Sequence, residues 1–281
     1  MSLHRRRALV NLARHHDALI ICDDVYDFLQ WPVLPPTSSA KNKLAPVPTP
    51  YPLLPRLSDI DIPLGPTRHD PKGKHFGHAI SNGSFSKLVG PGVRTGWVHG
   101  TADFAHGLSA TGASRSGGAP SQLTAAILHQ LLASGDIDHY LEHNVRPGLQ
   151  SRHAIAAAAV KRELSWASVG LLETSEKGKE TFGGYFLWLT LPEGLNAKEL
   201  ADRALREENL IIAPGSNFQV AGDEDAVTFP RNLRLTFSWE EEANVTEGIE
   251  RLGAVLRRVI DGDEEKAIVS HQAEGVAAAF K

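Results

Sequence analysis

Ser81-Asn82-Gly83-Ser84-Phe85-Ser86-Lys87-Leu88-Val89-Gly90-Pro91-Gly92-Val93-Arg94-Thr95-Gly96-Trp97 is the stretch on which the reading of this chain turns. One lysine stands among small and hydroxyl-bearing residues. An arginine follows seven positions later, and Gly90, Pro91 and Gly92 bend the backbone between them. A lysine amine condenses with a carbonyl to give a Schiff base. Hydroxyls, backbone N–H groups and a guanidinium together hold a phosphate. The run therefore has the parts of a covalent aldehyde site beside an anion pocket. Taken alone it also fits a solvated loop with an ordinary surface lysine.

Two further segments weigh in. Ala18-Leu19-Ile20-Ile21-Cys22 is a short apolar run with no polar face alternating through it. It predicts a buried strand, of the kind found in parallel sheets. The strand ends abruptly in Asp23-Asp24-Val25-Tyr26-Asp27. Ligands of open α/β sheets gather at the carboxyl ends of strands, so these acids are candidates for pairing with a cationic ring, or they merely terminate the strand. Near the other end, Arg231-Asn232-Leu233-Arg234-Leu235-Thr236-Phe237-Ser238-Trp239 alternates. Leu233, Leu235 and Phe237 share one face of the predicted strand, and Arg234, Thr236 and Ser238 the other. A mid-strand arginine can grip a carboxylate with two parallel hydrogen bonds, and it can equally point into water from an edge strand.

The order D-x-x-Y, then S-x-S-K with an arginine at +7, then a late R-L-x-F-S resembles the class I/II aminotransferases, which are fold-type I pyridoxal-phosphate enzymes. The spacing K-x-x-x-P-G-x-R is most similar to the aminoadipate/kynurenine aminotransferase branch. The resemblance runs from the first helix to about residue 260. It implies an α/β fold, with a partial large domain built on a mixed, mostly parallel sheet over 1–145 and a smaller C-terminal α+β domain, entered through an interdomain helix, over 146–281.

The resemblance also implies roles. Lys87 would carry pyridoxal phosphate as a Schiff base and move the proton between the substrate α-carbon and the cofactor. Asp23 would pair with the protonated pyridine nitrogen from a low-dielectric site, and Tyr26 would hydrogen-bond the phenolic oxygen. Ser84, Ser86 and Arg94 would hold the phosphate, and Arg234 the α-carboxylate of the amino acid. The reaction expected is transfer of an α-amino group from an amino acid to a 2-oxo acid, in a homodimer. The alternatives are a lyase or decarboxylase of the same fold, and a non-catalytic remnant.

Relatives of this kind carry a large N-terminal portion before the D-x-x-Y strand, and its turn, stacking ring and asparagine have no counterpart here. Residues 2–16 read as the helix just before that strand, so Met1 corresponds to an internal position of a longer relative. The expectation is an incomplete or misannotated gene product.

Composition agrees with an enzyme class. The chain has 281 residues, 42% of them apolar, with 17 prolines and 25 glycines. A net charge of −4 points to no nucleic-acid partner. No apolar run is long enough to predict a membrane span. The lone cysteine, Cys22, has no disulfide partner within the chain and suggests a reducing compartment, the cytoplasm. The first 16 residues are basic and mimic a mitochondrial transit peptide, but they run directly into the strand. Thirteen histidines show no metal-ligand spacing with Cys or Glu. No G-x-S-x-G elbow or phosphate-binding G-x-x-x-x-G-K-[ST] loop is present.

Residues 31–74 are proline-rich and predict a long irregular connection, partly an insertion and mostly an inert surface loop. Residues 114–122 open a Gly/Ser-rich helix that either binds an anion or is only a flexible entry. Residues 137–164 predict one long helix interrupted at Pro147. Residues 183–191 predict one aromatic-rich strand, and 196–209 an amphipathic helix capped by Asn196, with Lys198, Arg203 and Arg206 outward. A strand over 210–213 and a helix over 240–260 follow, the latter with Leu252, Val255, Leu256 and Val259 on its apolar face. A loose helix is expected beyond Asp261.

Overall fold

The structure is a computed structural model that describes residues 1–33, 54–115, 121–172, 174–176, 179–223, 225 and 227–262. The tail beyond 262, residues 34–53 of the proline-rich connection and 116–120 of the Gly/Ser helix entry lie outside the described residues. Two compact units are present. The first holds Met1–Val33, the described part of Lys43–Gly148, and Thr174–Gly184; the second holds Leu149–Glu173 and the described part of Tyr185–Lys281.

In the first unit, α1 (Leu3–His15) is capped by Ser2, whose Oγ accepts from the Arg5 N–H. It leads into β1 (Ile20–Asp23), then β2 (Gln30–Pro32), the short α2 (Leu57–Asp61) and β3 (Ala79–Ser84). β4 (Gly96–His99) follows, then α3 (Ala102–Ser109), α4 (Gly112–Arg115), α5 (Gln122–Ala133) and α6 (Asp136–Tyr140). β3 lies between β1 and β4, parallel to the first and antiparallel to the second. Val10 of α1, Leu57 of α2 and Ala79 of β3 form a small core, with Leu9, Ile20, Cys22 and Ile60 packed against it.

That packing corrects the first expectation for β1. Ile20 and Cys22 face the helices, but Leu19 and Ile21 are 45% and 68% exposed. An apolar run without alternation is the sequence of a strand covered on both faces. Among the described residues, α1 and α2 cover only one.

The proline-rich connection is corrected too. Its last part is α2 and a 3-10 turn (Ile62–Leu64), and Asp61 there is fully buried. Asp61 Oδ2 accepts from the backbone N–H of His78 (2.5 Å) and Ala79 (3.1 Å), and Oδ1 accepts from Arg14 Nη1 (2.7 Å). One carboxylate thus ties α1 and α2 to the start of β3. The sequence reads as loop here because eleven prolines over residues 31–74 mask a five-residue helix.

α7 (Arg146–Leu164) follows a π-helical turn (Leu141–Val145). The interruption expected at Pro147 is therefore a widened turn that ends two residues before the proline. It avoids the clash between a proline ring and the preceding carbonyl.

The second unit contains β5 (Gly170–Leu171), β8 (Phe186–Thr190), α8 (Ala197–Glu208), β9 (Ala213–Pro214), β10 (Asn232–Thr236) and α9 (Glu242–Asp261). Its sheet order is β5-β8-β10-β9. β6 (Thr174–Glu176) and β7 (Lys179–Gly183) belong to the first unit, where β7 pairs with β2. The single strand predicted over 183–191 is therefore two strands in different sheets, parted at Gly184, whose φ of +83° turns the chain.

Leu187, Leu189, Leu233 and Leu235 bury one face of the second sheet, and Leu200 and Ala204 of α8 and Leu252, Val255 and Leu256 of α9 are buried as well. Arg203 does not point outward as expected. It is buried, donates to Glu207 (2.6 Å), and Glu207 also accepts from Arg258 of α9 (2.7 Å). A carboxylate sealed between two helices needs such cations.

Candidate active site

Parallel pairing does the first work. β1 and β3 run side by side with Asp23 opposite Asn82, so the D-x-x-Y turn and the lysine loop leave the same end of one sheet. Asn82 Nδ2 donates to Asp23 Oδ1 (3.1 Å), and the Asp24 N–H donates to the Asn82 carbonyl (3.0 Å). Asn82 lies inside the quoted run, but only the strand register reveals it as the partner of Asp23. Asp23 itself is exposed. This corrects the low-dielectric setting expected for it, and the cause is the uncovered face it shares with Ile21. Asp27, the other end of the acidic run, is bonded to Arg56; burial still lifts its carboxyl above the ordinary range, against the pull of that guanidinium.

The lysine loop folds as a 3-10 turn (Phe85–Lys87) capped by Ser84, whose Oγ accepts from the Ser86 N–H (3.1 Å). The Phe85 carbonyl gathers the N–H groups of Leu88, Val89 and Gly90. The Phe85 ring meets Trp97 edge-on at 4.9 Å, and Gly83 has no side chain because the Trp97 ring occupies that space. Lys87, half-buried, places Nζ 5.8 Å from the centre of the Tyr26 ring. The backbone of Gly184 passes Tyr26 closely: a Cβ added there would lie 3.5 Å from Tyr26 Cγ.

Arg94 sits before β4, not in a strand, in the left-handed region at φ +45°. Its Nη1 reaches the Pro91 carbonyl (2.8 Å) and Ser86 Oγ (3.4 Å). Ser84 and Ser86 each act as acceptors here, which leaves each hydroxyl proton to donate to an anion. Two hydroxyls and a guanidinium thus lie together on the loop that carries the Lys87 amine.

Arg234 belongs to the second unit. It lies mid-strand in β10, between β8 and β9 in the sheet order. Its guanidinium carbon is 4.1 Å from the ring centres of both Phe186 and Phe218. Neither phenylalanine was singled out by sequence reasoning. Phe186 sits diagonal to Arg234 across the strand pair, but Phe218 comes from a separate turn (Gly215–Phe218) with no periodic signal. Among the described residues no group of three or more His, Cys, Asp or Glu side chains has the arrangement to hold a metal ion, and no helix is long and apolar enough to cross a membrane.

An α/β chain with a lysine loop and an acidic turn at one end of a three-stranded sheet, followed by a four-stranded arginine-bearing sheet, defines a class. The family model for aminotransferase class I and II matches residues 1–252, and this chain belongs to that family. It is 37% identical over 258 residues to YER152C, an uncharacterized protein of Saccharomyces cerevisiae, covering 91% of this chain and 52% of that protein. It is 29% identical over 178 residues to the 2-aminoadipate transaminase of Thermus thermophilus, covering 63% and 41%.

Among solved structures, the fold matches the multiple substrate aminotransferase of Thermococcus profundus with a TM-score of 0.68 at 24% identity, over 93% of this chain and 53% of that one. The kynurenine aminotransferase of Pyrococcus horikoshii matches with a TM-score of 0.65 at 22% identity, over 92% and 52%. The chain spans about half the length of the curated relatives it matches.

Proposed function

We propose that this chain carries the lysine and carboxylate-binding parts of a pyridoxal-phosphate-dependent aminotransferase, moving the α-amino group of an amino acid to a 2-oxo acid. The observation that carries the reading is the parallel β1–β3 pairing, with Lys87 Nζ 5.8 Å from the Tyr26 ring centre. Family membership and two relatives, a 2-aminoadipate transaminase and a kynurenine aminotransferase whose structure is in complex with PMP, support the cofactor and the substrate class. When bound, pyridoxal phosphate supplies an electron-withdrawing ring that weakens the Cα–H bond of the amino acid.

Each residue then has a task. Lys87 holds the cofactor covalently and, once released from it, moves a proton at the substrate Cα. Asp23, hydrogen-bonded by Asn82, would pair with the ring nitrogen. The Tyr26 hydroxyl serves the phenolic oxygen. Ser84, Ser86 and Arg94 bind the phosphate with charge-assisted hydrogen bonds, each contributing about 1.5–3 kcal/mol. Arg234 binds the α-carboxylate. The family's habit of pairing supports a homodimer, and the lone Cys22 supports a cytoplasmic setting.

Borohydride reduction after addition of pyridoxal phosphate should fix a phosphopyridoxyl mass on Lys87, seen by peptide mass spectrometry and lost in Lys87→Ala. Spread of that mass over surface lysines would refute the assignment. Amino donors screened with 2-oxoglutarate then separate transfer from a lyase or decarboxylase activity. The exposure of Asp23 favours a second reading, a non-catalytic homologue, and absence of any fixed mass would support it.

A further inference from the structure

Arg234 does not stand alone on the polar face of the second sheet. β8 places Phe186 and Trp188 on the face opposite buried Leu187 and Leu189, and β10 places Arg234 opposite buried Leu233 and Leu235. Arg234 is paired in register with Trp188, so Phe186 is its diagonal neighbour. From the other side comes Phe218, at the end of the turn after β9. Gly215 lets that turn lie close against Phe229 and Asn232, where a Cβ would come within 2.8 Å of Asn232 Cβ. Trp188 backs Phe218 edge-on at 5.8 Å, and Phe229 backs Trp188 at 5.5 Å. The result is a row of rings with a guanidinium set into it, its carbon 4.1 Å from the centres of both the Phe186 and Phe218 rings.

A guanidinium is planar, and its N–H bonds lie in that plane. Rings over the guanidinium attract it through their quadrupoles and keep water from its faces. A carboxylate then meets it only along an N–H edge, the approach that gives two parallel hydrogen bonds. The long arginine side chain also arrives with fewer rotamers to lose on binding.

We infer that Phe186 and Phe218 are positioning residues that clamp Arg234 and hold its N–H edge in place for the α-carboxylate of the amino acid. This rests on the reading of Arg234 as the carboxylate binder. Removal of either aromatic face frees the guanidinium to rotate and to be hydrated, and carboxylate affinity falls while the fold stays. Leucine keeps the volume of the apolar contact and lacks the ring face; tyrosine keeps the ring.

The test is titration of the full chain with 3-phenylpropanoate, a carboxylate without an amine, followed by ¹H–¹⁵N signals of arginine Nε–H and by calorimetry. Phe186→Leu and Phe218→Leu should each weaken binding about 3- to 10-fold, and Phe186→Tyr should bind within twofold of the parent. The Arg234 Nε–H signal, shifted by the rings without any ligand, should move toward that of an exposed arginine in both leucine variants. Arg234→Gln separates the two ideas. If it abolishes binding while the leucine variants match the parent, the clamp is wrong and the carboxylate role stands. If Arg234→Gln binds like the parent, the carboxylate role fails and the clamp with it. A ring-shifted Nε–H signal that does not move in either leucine variant overturns the clamp without reference to any ligand.

Discussion

Replacing Asp61 with alanine should cost the first unit about 3–5 kcal/mol, the range for breaking a buried ion pair. The side chain is fully buried and serves three donors: the N–H groups of His78 and Ala79, themselves 5% and 1% exposed, and the Arg14 guanidinium. An alanine leaves two buried amides without their acceptor, at roughly 1–3 kcal/mol each. Arg14 loses less, because its side chain is 15% exposed and Nη2 still reaches the Gly65 carbonyl at 2.9 Å. Asp61→Asn keeps one oxygen for the amides but turns an NH₂ group toward a guanidinium, so its loss should be smaller, about 2 kcal/mol.

Because the chain divides into two units, one denaturation midpoint would mix two events. Hydrogen exchange of the β3 amides reads the affected unit alone. A loss of 3–5 kcal/mol corresponds to exchange faster by roughly 10²- to 5 × 10³-fold at Ala79 to Ser84, with α8 and α9 unchanged. The same strand delivers Ser84, Ser86 and Lys87, so cofactor attachment should weaken in parallel. Exchange within threefold of the parent would refute the view that this carboxylate anchors the strand.

Other outcomes follow from single side chains. His153, fully buried beside Phe237, is pushed down to about 4 by burial, with the charge of Lys161 adding to the effect. Since the unfolded chain takes up the proton near 6.5 and the folded chain only near 4, stability is complete above pH 6.5. It falls by about 1.4 kcal/mol per pH unit below that, roughly 3 kcal/mol in all. Urea titrations from pH 7 to 4 should lose that slope in His153→Leu. Gly83→Ala would drive a Cβ into the Trp97 ring, which Phe85 and Phe28 hold in place. A cost of about 1–3 kcal/mol is expected, read by thermal melting and relieved in Gly83→Ala/Trp97→Leu. Cys22, raised to about 11 by burial and by Asp24 against the pull of Arg6, should alkylate with iodoacetamide well below the rate of a free thiol at pH 8, and reach that rate in urea.

What the sequence made legible was local. α1 announced itself by spacing, α8 by spacing and by the cap Asn196, and β10 by strict alternation about Arg234. The lysine loop was legible because its chemistry is crowded into a few consecutive residues. What stayed hidden depends on pairing. Asn82 meets Asp23 only through the β1–β3 register, and Asp61 meets His78 only because α2 folds back on β3 across sixteen intervening residues. Arg203 reads as an outward charge on a helical wheel until Glu207 and Arg258 bury it.

The exposure of β1 is the most instructive difference. Its sequence is apolar on both faces, which is a statement about surroundings rather than about the strand. Leu19, Ile21 and Asp23 share one of those faces, so whatever covers the two apolar side chains also sets the dielectric around the carboxylate. The ring-nitrogen role of Asp23 and the fate of that apolar face are therefore one question. A cover that buries Ile21 strengthens the pairing of Asp23 with a cationic ring, and without one water screens the pair to about a kilocalorie. Binding of pyridoxal phosphate to Asp23→Asn, compared with the parent, measures that difference directly. A loss of tenfold or more requires a covered site, and a loss under threefold marks an open one.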